Sequence, residues 1–260
     1  MATVTDYDAL VREATTQPAA VPEFPEPQSP SDTVFQLAAG YLQEDGEWVR
    51  EFEVRELTGR DEEIMARISD PGRLFVSIID RGVVRVGSTP ASKDVLNDLV
   101  GGDWDTVLVA IRIVTFGPEM SVRRKCSCGQ EYMAVIDLRE DVKIRAANQA
   151  DLQFSVGNRH HYEASLYSGA TQRKILEQLT EATVPELNTM VLFDSITSID
   201  GRPPLGLDDI RDMPMTDREI VLNEINKRRV GPDLGGVTTT CPSCGKEQPT
   251  PLSAAAMFRR

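Results

Sequence analysis

The sequence has little of what marks an enzyme, a secreted scaffold or a membrane protein. Histidine occurs twice, as His160 and His161, and cysteine four times in 260 residues. Four cysteines are too few for the disulfide framework of a small secreted domain. No apolar run approaches the roughly 20 residues that span a bilayer. Basic residues are in the minority: 28 Lys and Arg against 41 Asp and Glu leave a formal charge of −13. A surface this acidic repels phosphate backbones, which disfavours a general nucleic-acid binder but leaves room for a local basic patch. Residues 1–14 carry Asp6, Asp8 and Glu13 and lack the charged-then-apolar order of a secretion signal. The chain is therefore expected to be made and kept in a reducing cytoplasm, unless it leaves inside a larger particle.

Catalytic motifs are missing as well. There is no nucleophile elbow, phosphate-cradling glycine loop or HExxH. His160 and His161 are neighbours in a strand-like segment, so they point to opposite faces and cannot readily hold one ion between them. Asp61, Glu62 and Glu63, like Asp208 and Asp209, read as acids favoured in the first turn of a helix. The expectation is a protein that is not an enzyme.

The remaining composition, 40% hydrophobic and 27% charged, is that of an ordinary globular protein long enough to bury a core. Pro18, Pro22, Pro25, Pro27 and Pro30 crowd one window and suit neither a helix nor a central strand. Residues 1–32 are expected to form an extended arm: a loose leader, or a strap across a neighbouring subunit with Phe24 as its apolar anchor. From Thr33 onward a folded body is expected. Trp48 to Leu57 alternates like a half-buried strand, and Thr58 with Asp61 then caps a helix striped by Ile64, Met65 and Ile68. Thr89-Pro90 is expected to open a helix that runs through Leu99 and stops at Gly101-Gly102. Asp103 should cap the next, where Trp104, Val107, Leu108 and Ile111 form a core-facing stripe ended by Gly117-Pro118. Met120 to Leu138 reads as a β-hairpin, and Gln153 to Tyr167 as further strand. Helices are expected over Thr171–Leu179, Pro185–Ile199 and Thr216–Arg229, the last with a Thr216/Glu219 capping box.

The sharpest signal is the arrangement of the cysteines. Cys126-Ser-Cys128-Gly129 stands at the tip of the expected hairpin. Cys241-Pro-Ser-Cys244-Gly245-Lys246 follows a short strand more than a hundred positions later. Two thiol pairs, each closed by glycine, have the form of the two knuckles of a zinc ribbon. A disulfide between Cys126 and Cys128 would be strained. A redox dithiol at Cys241 and Cys244 should open a helix, which Pro249 and Pro251 prevent. The expected ligand set is Cys126, Cys128, Cys241 and Cys244 around one structural Zn2+. The fold class expected is α+β: a helical body with short antiparallel β-hairpins, a split zinc-ribbon-like site of four cysteines and an extended Pro-rich N-terminal arm. The expected zinc ribbon, built from residues about 118–138 and 235–252, would close residues 33–260 into one integrated domain. Arg123, Arg124 and Lys125 before the first knuckle, Lys246 after the second and Arg259-Arg260 at the end could gather into a basic patch. A zinc-ribbon nucleic-acid-binding regulator is therefore the alternative. The acidic total and the lack of aromatics between the basic residues weigh against it.

Four blocks in order resemble a known family. Val54-Arg55-Glu56-Leu57-Thr58-Gly59-Arg60-Asp61-Glu62-Glu63, Ile111-Arg112-Ile113-Val114-Thr115-Phe116-Gly117 and the two cysteine turns resemble the baseplate hub assembly family of T-even-type phages. The resemblance spans roughly residues 45–255. It implies a non-enzymatic structural component or assembly factor of the baseplate of a contractile tail, or of a related injection machine. Such a protein would be assembled in the host cytoplasm and would bind other baseplate, hub, spike or tail proteins. The long Pro-rich arm departs from the family pattern. Only the four cysteines carry over a role, as zinc ligands.

Overall fold

A computed structural model describes residues 30–258. The Pro-rich arm up to residue 29, with Phe24, and Arg259-Arg260 lie outside the described residues. Pro30–Thr33 forms a single 3-10 turn leading into β1 (Val34–Leu42), which pairs antiparallel with β2 (Trp48–Val54). After β2 come α1 (Gly59–Met65) and α2 (Pro71–Gly82), then β3 (Val83–Val86) and β4 (Thr89–Pro90), which complete a four-stranded sheet in the order β1-β2-β3-β4. Thr58 and Asp61 make the expected capping box at α1. The stripe beyond it is less buried than expected: Ile64 is exposed, and Met65 packs only partly buried against the main core.

Helices α3 (Lys93–Asp98) and α4 (Gly101–Phe116) follow. Thr89-Pro90 does not open α3 but forms the edge strand β4. The helix begins after Ser92, whose hydroxyl accepts the Val95 N–H at 3.2 Å. Proline suits such an edge, where its missing N–H costs no ladder bond. Gly101-Gly102 do not stop a helix either; they start α4. Each packs where a side chain would not fit: a Cβ on Gly101 would lie 2.2 Å from the Tyr167 ring and one on Gly102 2.3 Å from the Val230 carbonyl oxygen. Asp103 thus sits inside the first turn rather than capping it.

Helix α4 is the axis of the molecule. Trp104, Val107, Leu108 and Ile111 are buried as expected, but so are Val109, Ala110, Ile113 and Val114. A helix apolar on every side must be enclosed, and α4 touches β1, β2, α2 and residues later in the chain. It ends at Gly117 (φ +83°), where the Arg112 guanidinium turns back to donate to the carbonyls of Gly117 (2.7 Å) and Glu119 (3.2 Å).

Strands β5 (Glu119–Lys125) and β6 (Glu131–Asp137) form the expected hairpin, and β7 (Ile144–Arg145) follows. Strands β8 (Gln153–Gly157) and β9 (His161–Ser165) lead into α5 (Gly169–Glu177) and α6 (Val184–Ser195). The helix expected over Pro185–Ile199 stops at Ser195, and β10 (Ile196–Ile199) joins a sheet ordered β10-β9-β8. The β-branched pair Ile196-Thr197 favours the strand. Helices α7 (Leu207–Arg211) and α8 (Met215–Arg228) come next. Pro214 stands at the N-cap of α8, so the Thr216/Glu219 capping box is not formed. Then β11 (Gly231–Pro232) pairs with β7, β12 (Thr238–Thr240) pairs with β13 (Glu247–Pro249), and α9 (Ala254–Met257) closes the described chain.

The described residues thus combine helices with small antiparallel sheets. Their largest apolar cluster gathers β1–β3, α2–α4, the β5–β6 hairpin and, from the far end of the chain, Val237, Leu252 and Met257. A second cluster draws only on Val156 to Ile225. Between the two, Arg173 of α5 donates to Asp80 (2.8 and 2.6 Å) and Asn97 (2.9 Å) while lying over the Trp104 ring. Among the described residues no helix is long and apolar enough to cross a membrane.

Candidate metal centre

Two tight turns of the same construction carry the cysteines. In the first, the Cys126 N–H donates to the Gln130 carbonyl at 2.8 Å and the Gly129 N–H to the Cys126 carbonyl at 2.9 Å. In the second, the Cys241 N–H donates to the Lys246 carbonyl at 3.0 Å and the Gly245 N–H to the Cys241 carbonyl at 2.9 Å. Gly129 and Gly245 take φ of +91° and +69°, and nothing lies within 4 Å of where a Cβ would stand on either. Glycine is needed there for its left-handed backbone, not for room.

The hairpins carrying these turns pack face to face. Tyr132 on β6 shares a hydrogen bond with Thr239 on β12 at 3.2 Å, and Thr239 shares one with Thr250 at 2.8 Å. Arg124 on β5 donates to the Pro249 carbonyl at 2.6 Å, and Lys246 to the Ser127 hydroxyl at 3.3 Å. The four sulfurs converge as a result. All lie within 4.8 Å of one another, with Cys126 Sγ 3.6 Å from Cys244 Sγ and Cys128 Sγ 3.9 Å from Cys241 Sγ. A tetrahedron of thiolates about 2.3 Å from a central ion has edges of about 3.8 Å. Four free thiols in this arrangement can hold one metal ion.

Cys126 and Cys241 are buried while Cys128 and Cys244 are exposed, so the cluster has one covered and one open side. Two of the thiols, Cys126 and Cys244, are shifted in opposite directions. The Cys128 amide, hydrogen-bonded to the Cys126 sulfur, holds the Cys126 thiol below its usual range. At Cys244 the Lys246 amide pulls down, but the neighbouring sulfurs, Cys126 foremost, push harder and raise the thiol.

The Gln248 amide, which donates to Cys126 Sγ at 3.1 Å, is a contact that no motif announces. It depends on the register that sets Gln248 opposite Thr239. His160 and His161 belong elsewhere, at the β8–β9 turn. There Asp200 accepts from the His161 N–H at 2.8 Å and shares a 2.7 Å hydrogen bond with His160 Nδ1. Asp61, read from the sequence as a first-turn acid, is also a buried ion-pair partner of Arg55 (2.8 Å) and Arg81 (3.4 Å). Of the expected basic patch, Arg123, Arg124, Lys125 and Lys246 do lie around the two turns, and Arg124 is engaged with Pro249. Comparison of the chain with protein-family models, with curated proteins and with solved structures finds no match.

Proposed function

We propose that Cys126, Cys128, Cys241 and Cys244 bind one structural Zn2+. We further propose that the chain is a non-enzymatic structural component or assembly factor of the baseplate hub of a contractile phage tail or related injection machine. The observation that carries the metal assignment is the convergence of four thiols from turns more than a hundred positions apart. Zinc favours four thiolates in a tetrahedron, and a site whose four donors all come from the protein leaves no position for substrate. Bound there, the ion would supply cross-linking rather than chemistry.

The baseplate reading is supported by how the resembling blocks sit together. The first runs from β2 into α1, the second ends α4, and the Leu57 N–H of one donates to the Thr115 hydroxyl of the other at 3.2 Å. The second feeds directly into the β5–β6 hairpin, which brings the two cysteine blocks together. Separated stretches of sequence thereby form one continuous part of the body. A role in assembly also suits the apolar surface around a cleft of about 570 Å³ on the second cluster. Leu205, which lines it, is 92% exposed, and Met215 beside it 85%. Patches of this kind mark protein interfaces.

Two measurements test the reading separately. Metal analysis of the purified chain should give one zinc per chain, lost on Cys241→Ser; a metal-free chain with four titratable thiols would reject the site. Incubation of the zinc-loaded protein with tail particles or isolated hub and spike proteins should give a complex that Leu205→Asp/Met215→Asp weakens at least about tenfold. Failure to join any tail component would reject the baseplate role and leave the zinc site standing. The alternative, a nucleic-acid-binding zinc ribbon, draws on the exposed Arg123 and Lys125 beside the first knuckle. It requires salt-dependent binding to DNA or RNA that reversing those two charges abolishes.

A further inference from the structure

The four thiols differ in exposure in a way that holding an ion does not require. Each knuckle buries its first cysteine and exposes its second: Cys126 is 3% exposed and Cys241 0%, whereas Cys128 and Cys244 face solvent. Two close sulfur contacts cross between the knuckles, Cys244 to Cys126 at 3.6 Å and Cys128 to Cys241 at 3.9 Å. Each joins an exposed thiol to a buried one. The Gln248 amide, donating to Cys126 Sγ at 3.1 Å, encloses that sulfur further.

Four cysteines can pair in three ways. Pairing within knuckles needs a disulfide between Cys126 and Cys128, which is strained. Pairing Cys126 with Cys241 and Cys128 with Cys244 leaves one bond to form between two buried sulfurs that a dissolved oxidant does not reach. Pairing Cys126 with Cys244 and Cys128 with Cys241 gives each bond one sulfur open to attack and one to complete it. A disulfide is about 2.0 Å long, so each of these pairs has less than about 2 Å to close. The Tyr132–Thr239 and Arg124–Pro249 hydrogen bonds join the strands behind the turns, and they hold the hairpins together while the tips adjust.

We propose that hydrogen peroxide converts the site from a metal tie into two covalent ties, Cys126–Cys244 and Cys128–Cys241, without opening the ribbon. In each pair the exposed thiolate attacks one peroxide oxygen; the O–O bond breaks, the cysteine becomes a sulfenic acid and hydroxide leaves. The buried thiolate of the facing knuckle then attacks that sulfur; the S–S bond forms and the S–O bond breaks, releasing a second hydroxide. Each bridge thus takes two electrons from two thiolates and reduces one peroxide, and Zn2+, deprived of its thiolates, leaves. The ribbon is closed by the ion where thiols are kept reduced and by disulfides where they are not. The proposal rests on the zinc reading and is independent of the baseplate role.

Titration of the full, zinc-loaded chain with hydrogen peroxide tests it. Two equivalents should release the zinc to a metallochromic indicator. Non-reducing peptide maps should then join the peptide of Cys126 and Cys128 to that of Cys241 and Cys244 within one chain, and fragmentation should place the bonds at Cys126–Cys244 and Cys128–Cys241. Below one equivalent, a sulfenic-acid trap should mark Cys128 and Cys244 at least about fivefold more than Cys126 and Cys241. Amide exchange in residues 119–137 and 237–257 should stay within about threefold of that in the zinc-loaded protein, and quicken at least about tenfold once the oxidised protein is reduced beside a chelator. A Cys241–Cys244 bond, bonds between chains, or sulfinic acids without bridges would each overturn the proposal. So would zinc retained under peroxide that oxidises free cysteine in the same tube. A chain purified without zinc would reject the metal assignment instead, and the peptide map of its oxidised thiols would then decide the pairing by itself.

Discussion

Asp103 is fully buried, and its carboxylate serves as a hub for β1. It accepts the N–H of Ala38 at 2.6 Å, of Ala39 at 3.1 Å and of Gly40 at 3.2 Å. The β1–β2 ladder breaks in this stretch, between Gln36 and Tyr41, and the carboxylate takes up the N–H groups left over. Gly40 permits the bend with φ +108°, where any Cβ would also strike the Trp48 indole at 2.5 Å. Burial nonetheless outweighs these donors and pushes the Asp103 carboxyl up to about 6. An unfolded aspartate titrates near 3.9. Between the two values the folded chain keeps a proton that the unfolded chain has released, so this group's contribution to stability falls as pH rises from about 4 to about 6. Asp61 runs the other way: the Arg55 guanidinium holds its carboxyl well below the ordinary range, so its contribution is present above about pH 4 and is lost below it. Asp103→Asn would aim an amide N–H at a backbone donor and should cost about 1–3 kcal/mol at neutral pH. Because the variant no longer titrates, the stability gap to the parent should be wider at pH 4.5 than at pH 7. Urea denaturation of both proteins at the two pH values measures this, and a pH-independent gap would contradict the assignment.

At the scale of elements, what the sequence made legible was whatever depends on neighbours along the chain. The Thr58/Asp61 capping box, the core stripe of α4, the stop at Gly117 and the β5–β6 hairpin all follow from local spacing, and all are present. The elements misplaced by that reasoning are those decided by contacts from far away. Gly101-Gly102 look like a helix stop because glycine is a poor helix former. They lie inside α4 because its first turn presses against Tyr167 and Val230, neither of which local periodicity can bring near. The opposite approach is as tight, with a Cβ on Gly231 lying 2.4 Å from the Gly102 carbonyl oxygen. Gly102→Ala separates the two effects. Helix propensity alone would stabilise by roughly 1 kcal/mol. A Cβ driven 2.3 Å from a backbone oxygen should instead destabilise by about 1–3 kcal/mol, since that oxygen belongs to the buried Val230 and has little room to move. The sign of the shift in denaturation midpoint decides between them.

Across the whole molecule, the cysteine site was the most legible long-range feature, because its chemistry requires four ligands and the chain has only four cysteines. The contacts that support it, Gln248 on Cys126 and Tyr132 on Thr239, were not legible, since they depend on how two hairpins stack. The stacking also sets the mechanical consequence. Val237, Leu252 and Met257 reach the first apolar cluster from the segments on either side of the second knuckle, whereas every buried member of the second cluster lies between Val156 and Ile225. Closing a loop of more than a hundred residues costs about 4–5 kcal/mol in chain entropy, which an ion shared by the two knuckles would help to offset and the metal-free chain must meet by packing alone. Chelating the metal should therefore act unevenly. Amide hydrogen exchange should quicken by at least about tenfold in residues 119–137 and 237–257, as the hairpins separate and the C-terminal segment leaves its cluster. Protection in residues 153–225 should change by less than about threefold, because that cluster has its own apolar contacts. Equal loss of protection in both regions would mean that the clusters unfold as one unit and that the ion braces the entire chain rather than its C-terminal segment.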